Sequence, residues 1–242
     1  EVERRRASRR QRGDRRLDDR FVPAQHDAYF KQLADIVSDG LARCGYPYCS
    51  GGVMASNVRW RQPLRSWEND FTRWIEQPTA ESLLNSNIFF DIDGVWGRTE
   101  WPERLRAMIA RKAKSQPRFL ASMARNALLR TPPIGFFKEF VVEADGRHSE
   151  AINLKRRGTA PMTDLIRVHA LAVGSRSLNS FERLQDVIAA SILPPGRGQD
   201  LHDALEFISA VRVRNQADDM VAGREPDNSG EPAKLSAFER KS

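Results

Sequence analysis

The chain has 242 residues, 40% hydrophobic and 29% charged, which fits a soluble protein with a buried core. No apolar run approaches the roughly 20 residues of a membrane helix, and no signal-peptide pattern follows the charged N-terminus. The net charge of +7 is concentrated: residues 1–20 hold nine Arg against five acids, a local +4, so the other 222 residues carry only +3.

Residues 1–20 read as a disordered basic arm, because arginine runs without apolar spacing build no core. Binding to nucleic acid or an anionic surface is the alternative, and nucleic acid is not the expected partner. His26–Cys44 reads as a helix on the 3.6-residue spacing of Tyr29, Phe30, Leu33, Ile36, Val37 and Leu41, ended by Gly45 and Pro47. Tyr48–Ala55 reads as a short strand or turn. Pro63–Gln77 is a helix with Leu64, Trp67, Phe71, Trp74 and Ile75 on one side, and Thr79 caps a short helix through Leu84. Ile88–Asp93 then reads as a buried strand, whose alternation puts Asp91 and Asp93 on one face.

Beyond Gly97, Pro102–Lys114 and Pro117–Arg130 are helices with proline near the first turn. Phe136–Glu143 is a strand or irregular stretch that Ala151–Lys155 pairs with as a hairpin. Thr163–Val173 is a helix stopped by Gly174, and Asn179 or Ser180 caps another running to about Ala190. Gln199–Arg214 is a long helix extending toward Val221, Ala222–Pro232 a polar linker, and Leu235–Arg240 the start of a last helix. The expected organisation is the arm, a small αβ part over 21–97 and a mostly helical part over 98–242.

Three stretches could carry chemistry. Two acids on one strand face are costly unless a cation meets them, an arrangement that metal-dependent phosphoryl or nucleotidyl transferases need; two solvated acids at a strand end is the other reading. Cys49–Arg61 offers backbone N–H groups at Gly51 and Gly52 with Arg59 and Arg61 as phosphate clamps, or else a packed turn with surface arginines. Its spacing fits neither the P-loop nor the dinucleotide fingerprint. Lys155, Arg156 and Arg157 precede Gly158 and a helix on which Asp164 and Arg167 are neighbours. That is a cationic loop brought to a phosphate-bearing ligand, or an exposed basic turn with a surface ion pair worth under about 1 kcal/mol.

The rest reads as structure. Trp60, Trp67, Trp74, Trp96 and Trp101 are taken as core and interface mass. The histidines His26, His148, His169 and His202 are too scattered for zinc. Cys44 and Cys49, the two cysteines, read as reduced thiols of a cytoplasmic protein, with a disulfide as the alternative.

Taken in order, Cys49–Arg61 with Trp67, Ile88-Phe-Phe-Asp-Ile-Asp93 with Gly97, Pro132-Pro-Ile-Gly-Phe-Phe137, and Leu154-Lys-Arg-Arg-Gly158 with Pro161, Asp164, Arg167 and Ala170-Leu171 form a pattern. It resembles a family of nucleotidyltransferases related to the N-terminal region of protein-PII uridylyltransferase. That family often sits behind cyclic-nucleotide-binding and paired CBS domains in longer bacterial proteins. The similarity runs from about His26 to the end, and four separated motifs in order make it specific.

The resemblance implies an α+β protein: a nucleotidyltransferase-type mixed sheet with helices, then a mainly α-helical bundle that binds substrate. In such enzymes three carboxylates hold Mg²⁺, which aligns a nucleoside triphosphate for attack by a hydroxyl of a protein or small-molecule acceptor. Asp91 matches the third carboxylate, hence a catalytic and metal-binding role. Lys155, Gly158, Asp164 and Arg167 match the stretch that opens the helical domain. Arg59, Arg61, Lys155 and Arg167 are the expected phosphate contacts, with Asp93, Gly158 and Asp164 supporting them.

The chain also departs from the family. The Gly-Ser loop, the Arg-Glu pair and two alternating aspartates should precede His26, but residues 1–25 hold only the adjacent pair Asp18-Asp19 in an arginine-rich run. The N-terminus therefore reads as a truncation or an out-of-frame segment, leaving the sheet incomplete. Asp93 stands where the family carries arginine. One carboxylate does not fix Mg²⁺. The chain as given is expected to hold magnesium weakly and to be inactive, the alternative being a non-catalytic regulatory or protein-interaction module.

Overall fold

Proline in a first turn and a reciprocal cap decide where several helices begin. Pro23 opens helix α1 (Pro23–Arg43), where a missing N–H costs nothing. Helix α2 covers Leu64–Glu76. Thr79 opens α3 (Ala80–Phe89): its hydroxyl accepts from the Ser82 N–H at 3.1 Å, and the Ser82 hydroxyl accepts from the Thr79 N–H at 2.6 Å. Further along come α4 (Glu100–Lys114), α5 (Pro117–Leu128), α6 (Ala160–Val173), α7 (Ser180–Ala189) and α8 (Arg197–Val221). Two-residue strands β1 (Ile152–Asn153) and β2 (Ser229–Gly230) pair antiparallel, and one π-helical turn, Lys155–Thr159, leads into α6. This computed structural model describes residues 21–129 and 152–231. The chain divides into two compact units, Glu1–Arg73 and Trp74–Ser242.

In the first unit, α1 buries Ala34, while Tyr29, Phe30, Leu33, Ile36, Val37 and Leu41 are exposed. The helix expected from their spacing is present, but the stripe lies in solvent. Tyr48–Ala55 forms turns rather than a strand. Trp60 stacks on Trp67 with centroids 6.2 Å apart, and Trp67 meets Phe71 at 5.4 Å.

The second unit is a helical bundle. Ile166 of α6, Leu184 of α7 and Leu205 of α8 form a buried cluster joined by Met162 and Phe181. Ile109 and Ala113 of α4 and Phe119 of α5 are also buried. Gly158 permits a close approach: a Cβ there would meet the Ile208 Cγ2 at 2.9 Å.

The helical bundle matches expectation, but the mixed sheet does not appear among the described residues, where β1–β2 is the one sheet. Ile88–Asp93 is not a strand. The Thr79–Ser82 cap starts a helix that runs through Phe89, and Phe90 closes it with its N–H donating to the Ser86 carbonyl at 3.1 Å. A short apolar run does not distinguish helix from strand, and here the cap upstream prevails. Ile152–Asn153 is extended but pairs with Ser229–Gly230; the expected partner at 136–143 and the last helix at 235–240 lie outside the described residues. The supposed linker after Ala222 folds back on α8, where Arg212 Nε donates to Asn228 Oδ1 at 2.8 Å. Trp96 is 91% exposed, so it is not core.

Thr79→Ala should cost about 1 kcal/mol of stability in urea denaturation, the usual worth of an N-cap hydroxyl. An unchanged midpoint would show that packing alone holds α3.

Candidate functional site

The site forms where α3 ends. Phe90 packs on Phe119 with ring centroids 6.0 Å apart, and Ile92 N–H donates to the Phe89 carbonyl at 3.1 Å, turning the chain at Asp91. Arg167 of α6 grips Asp91 with a two-pronged fork, Nη1 to Oδ1 at 2.7 Å and Nη2 to Oδ2 at 2.6 Å. Arg183 of α7 donates to the same carboxylate through Nη2. The arginine side chains are only 11% and 9% exposed, and Asp91 is 34% exposed.

The α6–α7 loop aims Arg183. Gly174 ends α6 in the left-handed region at φ +81°, which favours glycine. Ser175 and Ser177 then donate their hydroxyls to Asp186 Oδ2 at 2.5 and 2.8 Å. The Ser177 carbonyl so placed accepts from Arg183 Nε at 2.8 Å. Beside this cluster, Arg106 Nη1 donates to the Ile92 carbonyl at 3.1 Å and to Asp93 Oδ1 at 2.6 Å. Arg106, Arg167, Arg176 and Arg183 line a solvent-open cleft with Ser175 and Ser177.

Burial alone would push the Asp91 pKa up, but the hydrogen bonds and charges of Arg167 and Arg183 outweigh it and hold the carboxyl below its usual range. Asp93 is also held low, by the Arg106 hydrogen bond and then by the Gly94 N–H.

This donor set does not fit Mg²⁺. Both Asp91 oxygens accept from guanidinium N–H groups, so a divalent cation there would face two fixed positive charges and lose its ligand. The one grouping of three His, Cys, Asp or Glu ligand atoms among the described residues, His202, Asp203 and Glu206 on α8, excludes Asp91.

Other expected site residues are placed as follows. Arg61 lies in the first unit, 9% exposed, with Nε and Nη2 forked onto Asp27 at 2.9 and 2.8 Å. Its Nη1 donates to the carbonyls of Ala55 and Ser56 at 2.7 and 3.0 Å. Those bonds strap the 55–56 turn, and the Arg61 hydrogen bond holds the Asp27 carboxyl low. Arg59 is exposed, its guanidinium 4.5 Å from the Trp60 ring centroid. Lys155 is exposed on the π-helical turn. Arg167 bonds to Asp91 rather than along its own helix to Asp164.

Sequence reasoning missed Arg106, Arg176, Arg183 and Asp186. Arg183 did carry a signal: it sits four residues before Val187 and beside Leu184, on the buried side of α7.

The second unit is thus a helical bundle that presents a carboxylate held by arginines beside a cationic cleft. The family model described as "Putative nucleotidyltransferase substrate binding domain" matches residues 117–242, and "Putative nucleotidyltransferase DUF294" matches residues 17–81. The first match alone spans more than half of the chain, which therefore belongs to this nucleotidyltransferase family, as the ordered motifs indicated. Searches of curated proteins and of solved structures found no match. No helix among the described residues is long and apolar enough to cross a membrane.

Asp91→Ala should lower stability by about 3 kcal/mol, because it strands two buried guanidiniums; urea denaturation measures it, and a loss under roughly 0.5 kcal/mol would reduce the cluster to a surface bridge. The folded carboxyl titrates below its unfolded value of about 3.9, so its stabilisation is complete above that pH and is lost as pH falls through the lower folded value. The gap between wild type and Asp91→Ala should therefore close on acidification below about pH 4.

Proposed function

We propose that this chain is a nucleotidyltransferase-like protein that binds nucleotide and acceptor groups but does not itself transfer the nucleotide. The motif resemblance to the N-terminal region of protein-PII uridylyltransferase supports the reaction class: Mg²⁺-dependent nucleotidyl transfer to a protein or small-molecule hydroxyl in complete relatives. The observation that carries the inactivity is the Asp91 carboxylate, engaged on both oxygens by Arg167 and Arg183. A carboxylate so held is a poor metal ligand, and one carboxylate is too few for magnesium without substrate oxygens. In this reading Arg167 and Lys155 of the second unit meet the phosphates of a nucleoside triphosphate, and Asp93, Gly158 and Asp164 shape their surroundings. A cytoplasmic setting fits two exposed free cysteines.

With labelled ATP or UTP, Mg²⁺ and candidate acceptors, no label transfer is expected, while nucleotide binding persists in EDTA. Magnesium-dependent transfer that disappears in Asp91→Asn would instead make Asp91 a working metal ligand.

The exposed apolar residues of α1 favour a second reading, a non-catalytic interaction module. It predicts no calorimetric heat with ATP or UTP at any magnesium level, so measurable nucleotide affinity would end it.

A further inference from the structure

We propose that the arginine cleft of the Trp74–Ser242 unit is a metal-independent binding site for a phosphate group. It deepens the nucleotide-binding reading above and rests on it only for the parent ligand, since the argument is one of charge and donors within this unit.

Arg167 and Arg183 are both nearly buried, yet they share one carboxylate. Asp93 is matched by Arg106. That leaves one positive charge in excess where solvent screens weakly. Arg176 adds another: it lines the cleft, is exposed, and makes no ion pair with a described residue. Asp186, whose Oδ2 accepts from the Ser175 and Ser177 hydroxyls, offsets one of these charges, so the cleft holds one cation in excess. Buried cations left without anions are costly, so the arrangement favours a further anion.

Donors are in excess as well. A guanidinium carries five N–H groups. Arg167 gives its Nη1 and Nη2 bonds to Asp91, and its Nε–H is buried with no acceptor. Arg183 commits Nε to the Ser177 carbonyl and Nη2 to Asp91. The serine protons are already donated to Asp186, so an incoming anion is held by guanidinium N–H groups. A phosphate group suits this better than a second carboxylate, because it offers three acceptor oxygens to guanidinium N–H groups that come from several side chains.

The test is calorimetry on the full chain in EDTA at low salt, with inorganic phosphate as probe and acetate as control. Phosphate should bind in preference to acetate, with affinity falling as salt rises. Arg176→Ala removes an exposed side chain and should weaken binding by roughly tenfold. Asp91→Asn, checked for folding by circular dichroism, should bind phosphate several-fold more tightly because it removes the competing negative charge and releases one prong of the Arg167 fork. Absence of phosphate heat, acetate binding as strong as phosphate, or an unchanged Arg176→Ala overturns the site, as does a folded Asp91→Asn that binds no better than wild type. Lack of phosphate binding in EDTA would leave the nucleotide reading to Lys155, whereas the labelling outcome with magnesium does not bear on this site.

Discussion

The Asp91 carboxylate, shared between Arg167 and Arg183, is the interaction on which the second unit's chemistry depends. It ties the end of α3 to α6 and α7 at once, across 76 and 92 residues of chain. Hydrophobic contact alone does not fix rotation or register so closely, because dispersion is non-directional. A planar fork on a carboxylate does fix them, since both bonds are lost together if either helix turns. The loop between α6 and α7 serves the same end: Asp186 gathers two serine hydroxyls, the Ser177 carbonyl is presented, and Arg183 is aimed.

Arg61 shows the same chemistry with the opposite consequence. Its fork on Asp27 and its two carbonyl contacts use both terminal nitrogens and Nε inside the fold. It is one planar guanidinium facing one carboxylate, with its charge balanced and its donors engaged. The Arg167–Arg183 pair has two guanidiniums for one carboxylate and an N–H without an acceptor. Burial is similar at both places, so what distinguishes them is the balance of charge and donors.

That balance explains what was legible in the sequence. The helices at 23–43, 100–114, 117–128, 160–173 and 180–189 carry local signals: proline in first turns, a glycine stop at 174 and a side-chain cap at Asn179. Ile88–Asp93 was misread because its apolar run is equally compatible with a strand, and the deciding Thr79–Ser82 cap lies well upstream. The α1 stripe predicted the helix correctly but not its exposure, since period reports a face and not what covers it. Asp91 and Arg167 were both singled out, but for separate roles. A neighbour at i+3, Asp164, suggested itself for Arg167, whereas the true partner is 76 residues away, and no spacing rule reaches that far.

The placement of the cluster bears on binding against catalysis. Arg167 and Arg183 fall within the region matched by the substrate-binding model, while Asp91 and Arg106 lie in the stretch between the two matched regions. The acid and the bases that hold it therefore come from different segments. A carboxylate kept below its ordinary pKa by two guanidiniums is fully ionised at neutral pH and reluctant to accept a proton. A general base for an acceptor hydroxyl works best with a pKa near the operating pH, and the arginines move Asp91 away from it. They also compete with any cation for its oxygens. Both effects weaken Asp91 as a reacting group, and in the reading proposed above the same two charges strengthen the cleft as a place to hold an anion, so that one arrangement of three side chains would favour recognition over transfer.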